Sequence, residues 1–220
     1  MARPRTWLVT GAASGIGREL ARQIAHRGER LILWDRDAQN LGVVASLLGP
    51  AVAHHEAVDV TDHGAVRAAA ERVGVELTRV IHCAGILRVG DALGMSAHDY
   101  RAMLEVNTLG SVHVAQALVP VLRANTSRFT RGSFAFVSSI AGLRGIPTLA
   151  GYSASKFAVV GFAQALRSEL TGSFVDVRVI CPPAVDTPMV QNLISLPAVY
   201  RLKPPQPVEK VARAILKSLE

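Results

Sequence analysis

The chain carries Tyr152 and Lys156 in the run Y-S-A-S-K, and Ser139 thirteen residues before the tyrosine. If the run is helical, positions i and i+4 share a face, so phenol and ammonium converge on one point. A free phenol titrates near pH 10 and is a poor base at neutrality, but a cation a few ångströms away favours its ionised form. With a serine hydroxyl donating to an oxygen where charge develops, the three side chains suit proton transfer at a carbinol or carbonyl oxygen. Taken singly, Tyr152 reads as a surface residue at a helix start and Lys156 as a solvated one. Proton transfer of this kind needs a hydride partner, and a second motif supplies its holder.

That motif is T-G-A-A-S-G-I-G, with Gly11, Gly15 and Gly17 between an apolar strand and a helical run. Glycines there let the chain turn tightly and press backbone N–H groups, with Ser14 and Ile16 between them, onto a pyrophosphate at a helix N-terminus. Asp35 ends the second strand, L-I-L-W-D. Its carboxylate can accept from adenosine ribose hydroxyls and repels a 2′-phosphate, which favours NAD; Arg36 pulls toward NADP, since a guanidinium pairs with phosphate. The competing reading of Asp35 is a turn or helix-initiating residue. Asp59 and Val60 close the third strand and fit the adenine amino group and ring face. Asp62 suits the cap of the next helix.

These groups need a scaffold. Hydrophobic periodicity predicts strands at Thr6–Thr10, Arg30–Trp34, Val52–Val58, Arg79–Cys83, Ser133–Val137 and Val175–Ile180. Helices are expected at Ile16–Arg27, Ala38–Leu47, His63–Val73, Ala97–Ala124, Tyr152–Leu170 and Val208–Leu219, the last with Pro207 near its start. Alternating strands and helices of this size imply an α/β fold, a doubly wound parallel sheet with helices on both faces. At 220 residues one domain, 1–220, is expected, with a loop-like substrate segment at 183–207.

Composition excludes other classes. The net charge of +7 comes from dispersed arginines, with no basic run or zinc-finger spacing, so neither nucleic-acid binding nor a metal is expected. No stretch approaches a membrane span and the N-terminus lacks a signal-peptide core. Cys83 and Cys181 end apolar runs and read as small buried hydrophobes in a reducing cytoplasm.

Three elements together, T-G-x-x-x-G-I-G at Thr10 to Gly17, Ser139, and Y-x-x-x-K at Tyr152 to Lys156, resemble the short-chain dehydrogenase/reductase family over about Thr6 to Met189. The resemblance implies a single Rossmann-type domain of strand order 3-2-1-4-5-6-7 and nicotinamide-dependent conversion of alcohols and carbonyls, with NAD expected and NADP possible. It adds Asn107 as a fourth catalytic residue whose backbone carbonyl holds a water against Lys156. Ala84 and Gly85 would sit beside the cofactor, and Pro182, Val185 and Thr187 would meet the nicotinamide end.

The chain departs from the pattern in three places. H-C-A-G, His82 to Gly85, stands where N-N-A-G is usual, and His82 is expected to donate in place of a carboxamide. Pro182-Pro183 replaces P-G, which stiffens the loop. The chain stops after its last helix, which leaves six strands, a small lid, and a homodimer through the long fourth helix and the helix from Tyr152 in preference to a tetramer. Those departures support the rival reading, a dinucleotide-binding regulatory or scaffold protein of the same fold with weak catalysis. Leu87, Arg88, Leu143, Arg144, Met189 and Leu193 are the expected pocket residues for a small-molecule alcohol or carbonyl.

Overall fold

The computed structural model describes residues 5–74, 76–193 and 204–220. Six strands, β1 (Thr6–Thr10), β2 (Arg30–Asp35), β3 (Val52–Ala57), β4 (Leu77–His82), β5 (Gly132–Val137) and β6 (Val175–Ile180), form one sheet. The order is β3-β2-β1-β4-β5-β6 and each neighbouring pair is parallel. This is the doubly wound sheet that the alternating pattern predicts, with the order reversing between β1 and β4.

The central strands are apolar without alternation because both faces are covered. On one face Leu8, Ile32, Val80, Phe134 and Phe136 pack under α3 (His63–Glu71), α5 (Gly110–Asn125) and α6 (Ala150–Glu169). On the other, Trp7, Val9, Leu31, Leu33 and Ile81 pack under α1 (Gly15–His26), α2 (Ala38–Leu48) and α8 (Val208–Ser218). Short polar residues start the helices, their side chains accepting from exposed N–H groups of the first turn. Asp37 accepts from Asn40 N at 3.0 Å, Asp62 from Ala65 N at 2.9 Å and Ser96 from Asp99 N at 3.1 Å.

Three local differences from the sequence reading matter for the site. The long fourth helix is α4 (Ala97–Met103) and α5 joined through a wide π turn at Leu104–Leu109. Helix α6 begins at Ala150, so Tyr152 lies inside its first turn. Within the stretch read as loop, α7 (Pro188–Gln191) forms a single turn, and Val185 bridges Gln206 in parallel. Pro207 sits just before α8, at its cap. The part of the substrate segment at 194–203 lies outside the described residues.

Candidate active site

A cleft of about 300 Å³ opens at the carboxyl ends of β1, β2, β3 and β4. Its floor is the glycine loop. Gly11 has φ +66°, and a Cβ there would come within 2.8 Å of Ala84 N. A Cβ on Gly17 would overlap the Gly11 carbonyl oxygen and stand 2.7 Å from its carbon. Backbone therefore fits against backbone with no space for side chains. Ser14 caps α1 without a side-chain bond, and with Gly15 and Ile16 it lines the cleft. The first N–H groups of a helix have no intrahelical acceptor, so they face this space as anion donors.

The far wall contains Asp35, Arg36, Asp59 and Val60. Asp35 carries two loads. Its Oδ2 accepts from Ala13 N at 2.9 Å and its Oδ1 from Asp37 N at 3.0 Å. The same carboxylate thus ties the glycine loop to the end of β2, a turn role that leaves both oxygens with further lone pairs. Asp59 Oδ1 accepts from the N–H and the hydroxyl of Thr61 at 2.9 and 2.8 Å. Trp34, Val58 and Val106 also line the cleft. No motif marks them; the only signal is that each adjoins a residue or element already placed there.

Ser139, Tyr152 and Lys156 lie outside the lining of this cleft, behind Gly85; Lys156 is 5% exposed and donates from Nζ to the Val137 carbonyl at 3.1 Å. Burial pushes its ammonium down to about 8. Nζ lies 5.8 Å from the centre of the Tyr152 ring, as the shared helical face requires. The ring is embedded in apolar side chains, Leu87, Met103, Ile146 and Leu149 among them. Ser139, at the end of β5, accepts from Ala141 N at 3.1 Å, which orients its hydroxyl. Gly85 stands between the two halves of the site: a Cβ there would meet Asn107 Oδ1 at 3.0 Å and Lys156 Nζ at 3.4 Å.

Asn107 is fully buried in the π turn. Its carboxamide donates to Ile86 O and Ser155 Oγ, each at 2.9 Å, and accepts from Ile86 N at 2.8 Å. The Ser111 hydroxyl donates to the backbone carbonyl of Asn107 at 2.6 Å. The side chain therefore fastens the chain after β4 to α6, and the wide turn is the local adjustment that admits it. Beyond β6, Pro182 O accepts from Ile140 N at 2.9 Å. The Val185–Gln206 bridge uses Ala184 O and Asp186 N, both at 2.8 Å, so Val185's own N–H and C=O point to the opposite side. Thr187 donates to that carbonyl at 3.3 Å and lines the cleft with Met189.

A family model described as short chain dehydrogenase matches residues 5–196. The chain belongs to the short-chain dehydrogenase family. Relatives of this short-chain dehydrogenase include rat 17-beta-hydroxysteroid dehydrogenase 13, 34% identical over 98% of this chain and 71% of the relative. The 3-oxoacyl-(acyl-carrier-protein) reductase of Thermotoga maritima is 32% identical over 84% of this chain and 76% of its own. Among solved structures, a Brucella melitensis 3-ketoacyl-(acyl-carrier-protein) reductase with NADH superposes with a TM-score of 0.88 at 25% identity, covering 96% of this chain and 89% of that one. A Burkholderia cenocepacia short chain dehydrogenase with NADP gives 0.84 at 29%, covering 99% and 84%. NAD(P)-dependent oxidation and reduction is the general chemistry of the family, and a glycine cradle that any Cβ would fill fits the dinucleotide.

Within this short-chain dehydrogenase the H-C-A-G segment is tied to the end of β1. Thr10 Oγ1 accepts from Cys83 N at 3.1 Å and Ala84 N at 3.2 Å and lies 2.8 Å from His82 Nδ1, a hydrogen bond whose direction follows the ring tautomer. Burial holds His82 neutral, down to about 3. Cys83 and Cys181 are half-buried; Cys83 lines the cleft and packs against the apolar layer under α1, and the desolvation of its sulfur pushes the thiol up to about 12. Of the expected pocket residues, Leu87 and Leu193 join the apolar cluster around Tyr152. Arg88 pairs with Asp99 at 3.6 Å, and Leu143 is 60% exposed beside an exposed Arg144. No helix among the described residues is long and apolar enough to cross a membrane.

Proposed function

We propose that this chain is a single-domain NAD-preferring oxidoreductase, 1–220, acting on a small-molecule alcohol or carbonyl with Tyr152 as general base or acid. The observation that carries this reading is the buried Lys156 ammonium beside the Tyr152 ring and 3.4 Å from a Cβ built on Gly85, a residue that lines the glycine-floored cleft. Bound nicotinamide supplies the hydride acceptor or donor. In oxidation Tyr152 takes the carbinol proton and in reduction it returns one; Lys156 favours the phenolate and holds the nicotinamide ribose. Ser139 donates to the substrate oxygen, and the Asn107 carbonyl holds water on the proton path to Lys156. Val185 meets the carboxamide through its backbone, with Pro182 and Thr187 flanking it. The segment at 183–207 covers the substrate, and Leu87, Leu143 and Leu193 give that pocket an apolar wall.

The test is dinucleotide binding and turnover measured together on a panel of apolar ketones and secondary alcohols. Cofactor-dependent absorbance change on any of them supports the enzyme. Tight binding without turnover across the panel overturns it in favour of the regulatory reading.

Lys156 sets a pH dependence. The ammonium is present below about pH 8 and lost above it, so the field favouring phenolate fades as pH rises through that value. The pH profile of kcat/KM, which reports the free enzyme, is expected to break near 8. Lys156→Arg, charged at every accessible pH, removes that break.

NAD preference rests on Asp35. Titration of the wild type should give a lower Kd for NAD than for NADP. Asp35→Ser should shift the ratio toward NADP by at least about tenfold, or about 1.4 kcal/mol. A wild type that binds NADP more tightly would show that Arg36 decides.

The two cysteines fit a reducing cytoplasm. A homodimer through the fourth helix and α6 accounts for Leu104, Leu109 and Phe157, which are 42%, 43% and 45% exposed on those helices; Phe157→Asp should dissociate it.

A further inference from the structure

Outside the cleft, two imidazoles from different helices meet. His63 opens α3 and His113 lies in the first turn of α5, and their ring centres are 5.0 Å apart with the planes inclined at 33°. His113 Nδ1 lies 3.0 Å from the Val60 carbonyl. A carbonyl can only accept, so Nδ1 carries the proton and the lone pair of the neutral ring sits on Nε2. A bond of this kind, from the far nitrogen to a backbone carbonyl, is what orients metal-ligating histidines. His63 is exposed and has no hydrogen-bond partner among the described residues, so its ring is free to turn. The pair escapes a reading of sequence spacing because its members are fifty residues apart on separate helices.

Two imidazoles on one tetrahedral zinc, with Zn–N of about 2.0–2.1 Å, hold their ring centres about 5 Å apart. The separation here already matches, so neither helix has to move. A groove of about 360 Å³ between α3 and α5 runs past His63 and Gln116, which gives an ion and its waters access. Gln116 stands one turn beyond His113 and can add its carbonyl oxygen. No third His, Cys, Asp or Glu joins the pair among the described residues, so neutral oxygens complete the shell. Imidazole with neutral oxygens suits zinc, nickel or copper, and not magnesium or calcium. The local charges permit a cation. Asp62 caps α3 and offsets the positive end of its dipole, while Arg67 is exposed with Glu71 one turn further on.

We infer that His63 and His113 form a site for a divalent cation of the zinc class, which joins α3 to α5 and braces the wall of the cleft at Val60. Val60 lines the cleft, its carbonyl is held by His113, and its side chain fills the space over Gly110, where a Cβ would stand 2.7 Å from Val60 Cγ2. The cation adds a second hold three residues on, at His63. A wall ordered in advance binds its ligand more tightly. By linkage, NAD must then tighten the cation by the same factor. The brace rests on the proposed adenine role of Val60; the cation site does not.

The experiment is isothermal titration of the untagged full chain with zinc chloride, with and without NAD. His63→Ala, an exposed residue with no hydrogen bond to lose, should weaken zinc at least about tenfold. His113→Asn should do the same while keeping an N–H donor for the Val60 carbonyl. His54→Ala is the control: His54 is an exposed imidazole 3.2 Å from Glu56, and its removal should leave the zinc affinity unchanged. Saturating zinc should lower the NAD Kd about fivefold or more in the wild type and not in His63→Ala. A wild type that binds no zinc, or a His63→Ala variant of equal affinity, overturns the site. Zinc held by the pair with the NAD Kd unchanged overturns the brace. Zinc held by the pair in a chain that binds no dinucleotide would sink the reading of the cleft and leave the cation site standing.

Discussion

Replacing Tyr152 by phenylalanine is expected to lower kcat by about 10²- to 10⁴-fold, the usual contribution of a positioned proton-transfer group. The Kd for NAD should stay within about twofold, because the deleted hydroxyl acts in the transition state and not in uniform binding. The ring remains in its apolar setting against Leu87, Met103, Ile146 and Leu149, so the substitution keeps the volume and packing of the site. Steady-state turnover with a reactive ketone and a parallel binding titration separate the two quantities. Turnover unchanged in the variant would remove the catalytic role of the phenol, whatever the family of the chain.

The second large effect belongs to Gly17. Alanine there would overlap the carbonyl of Gly11, with the next atom, Gly11 C, 2.7 Å from the new methyl. Both are backbone, so no side chain can rotate away and the loop must open. Overpacking of this kind costs about 1–3 kcal/mol of stability. The larger loss should be in binding, since opening the loop withdraws the N–H groups that face the pyrophosphate. A rise in the NAD Kd of about a hundredfold or more, near 2.7 kcal/mol, is expected. Gly42→Ala in α2 is the control: nothing lies within 4 Å of its new methyl. Removal of a helical glycine there should stabilise by about 0.5–1 kcal/mol. Thermal melts of the two variants should therefore move in opposite directions, and only Gly17→Ala should change the binding titration.

The sequence makes much of this legible for a physical reason. Strands buried on both faces must be continuously apolar, and a loop that presses backbone on backbone must use glycine; both requirements are written in residue type. The Tyr152–Lys156 pair is legible because one helical turn separates the two residues. What stays hidden depends on partners distant in the chain. The π turn at Asn107 follows from bonds to Ile86 and Ser155, and no local propensity announces them. The partner of His82 is Thr10, seventy-two residues away, whose hydroxyl also meets the N–H groups of Cys83 and Ala84. Asp35 reads as either a turn residue or a ribose ligand, and only the positions of Ala13 and Asp37 show that the first role leaves room for the second.

The bridge between Val185 and Gln206 fastens two points of the chain side by side, ahead of the final helix. Whatever is inserted or removed between them, the ends still meet at the same place. Doubling the length of a flexible loop adds only about 0.6 kcal/mol to the entropy of closing it. On the proposed reading, descendants of this gene could therefore trade that stretch for others of different length and chemistry, changing which molecules are admitted, without rebuilding the glycine loop.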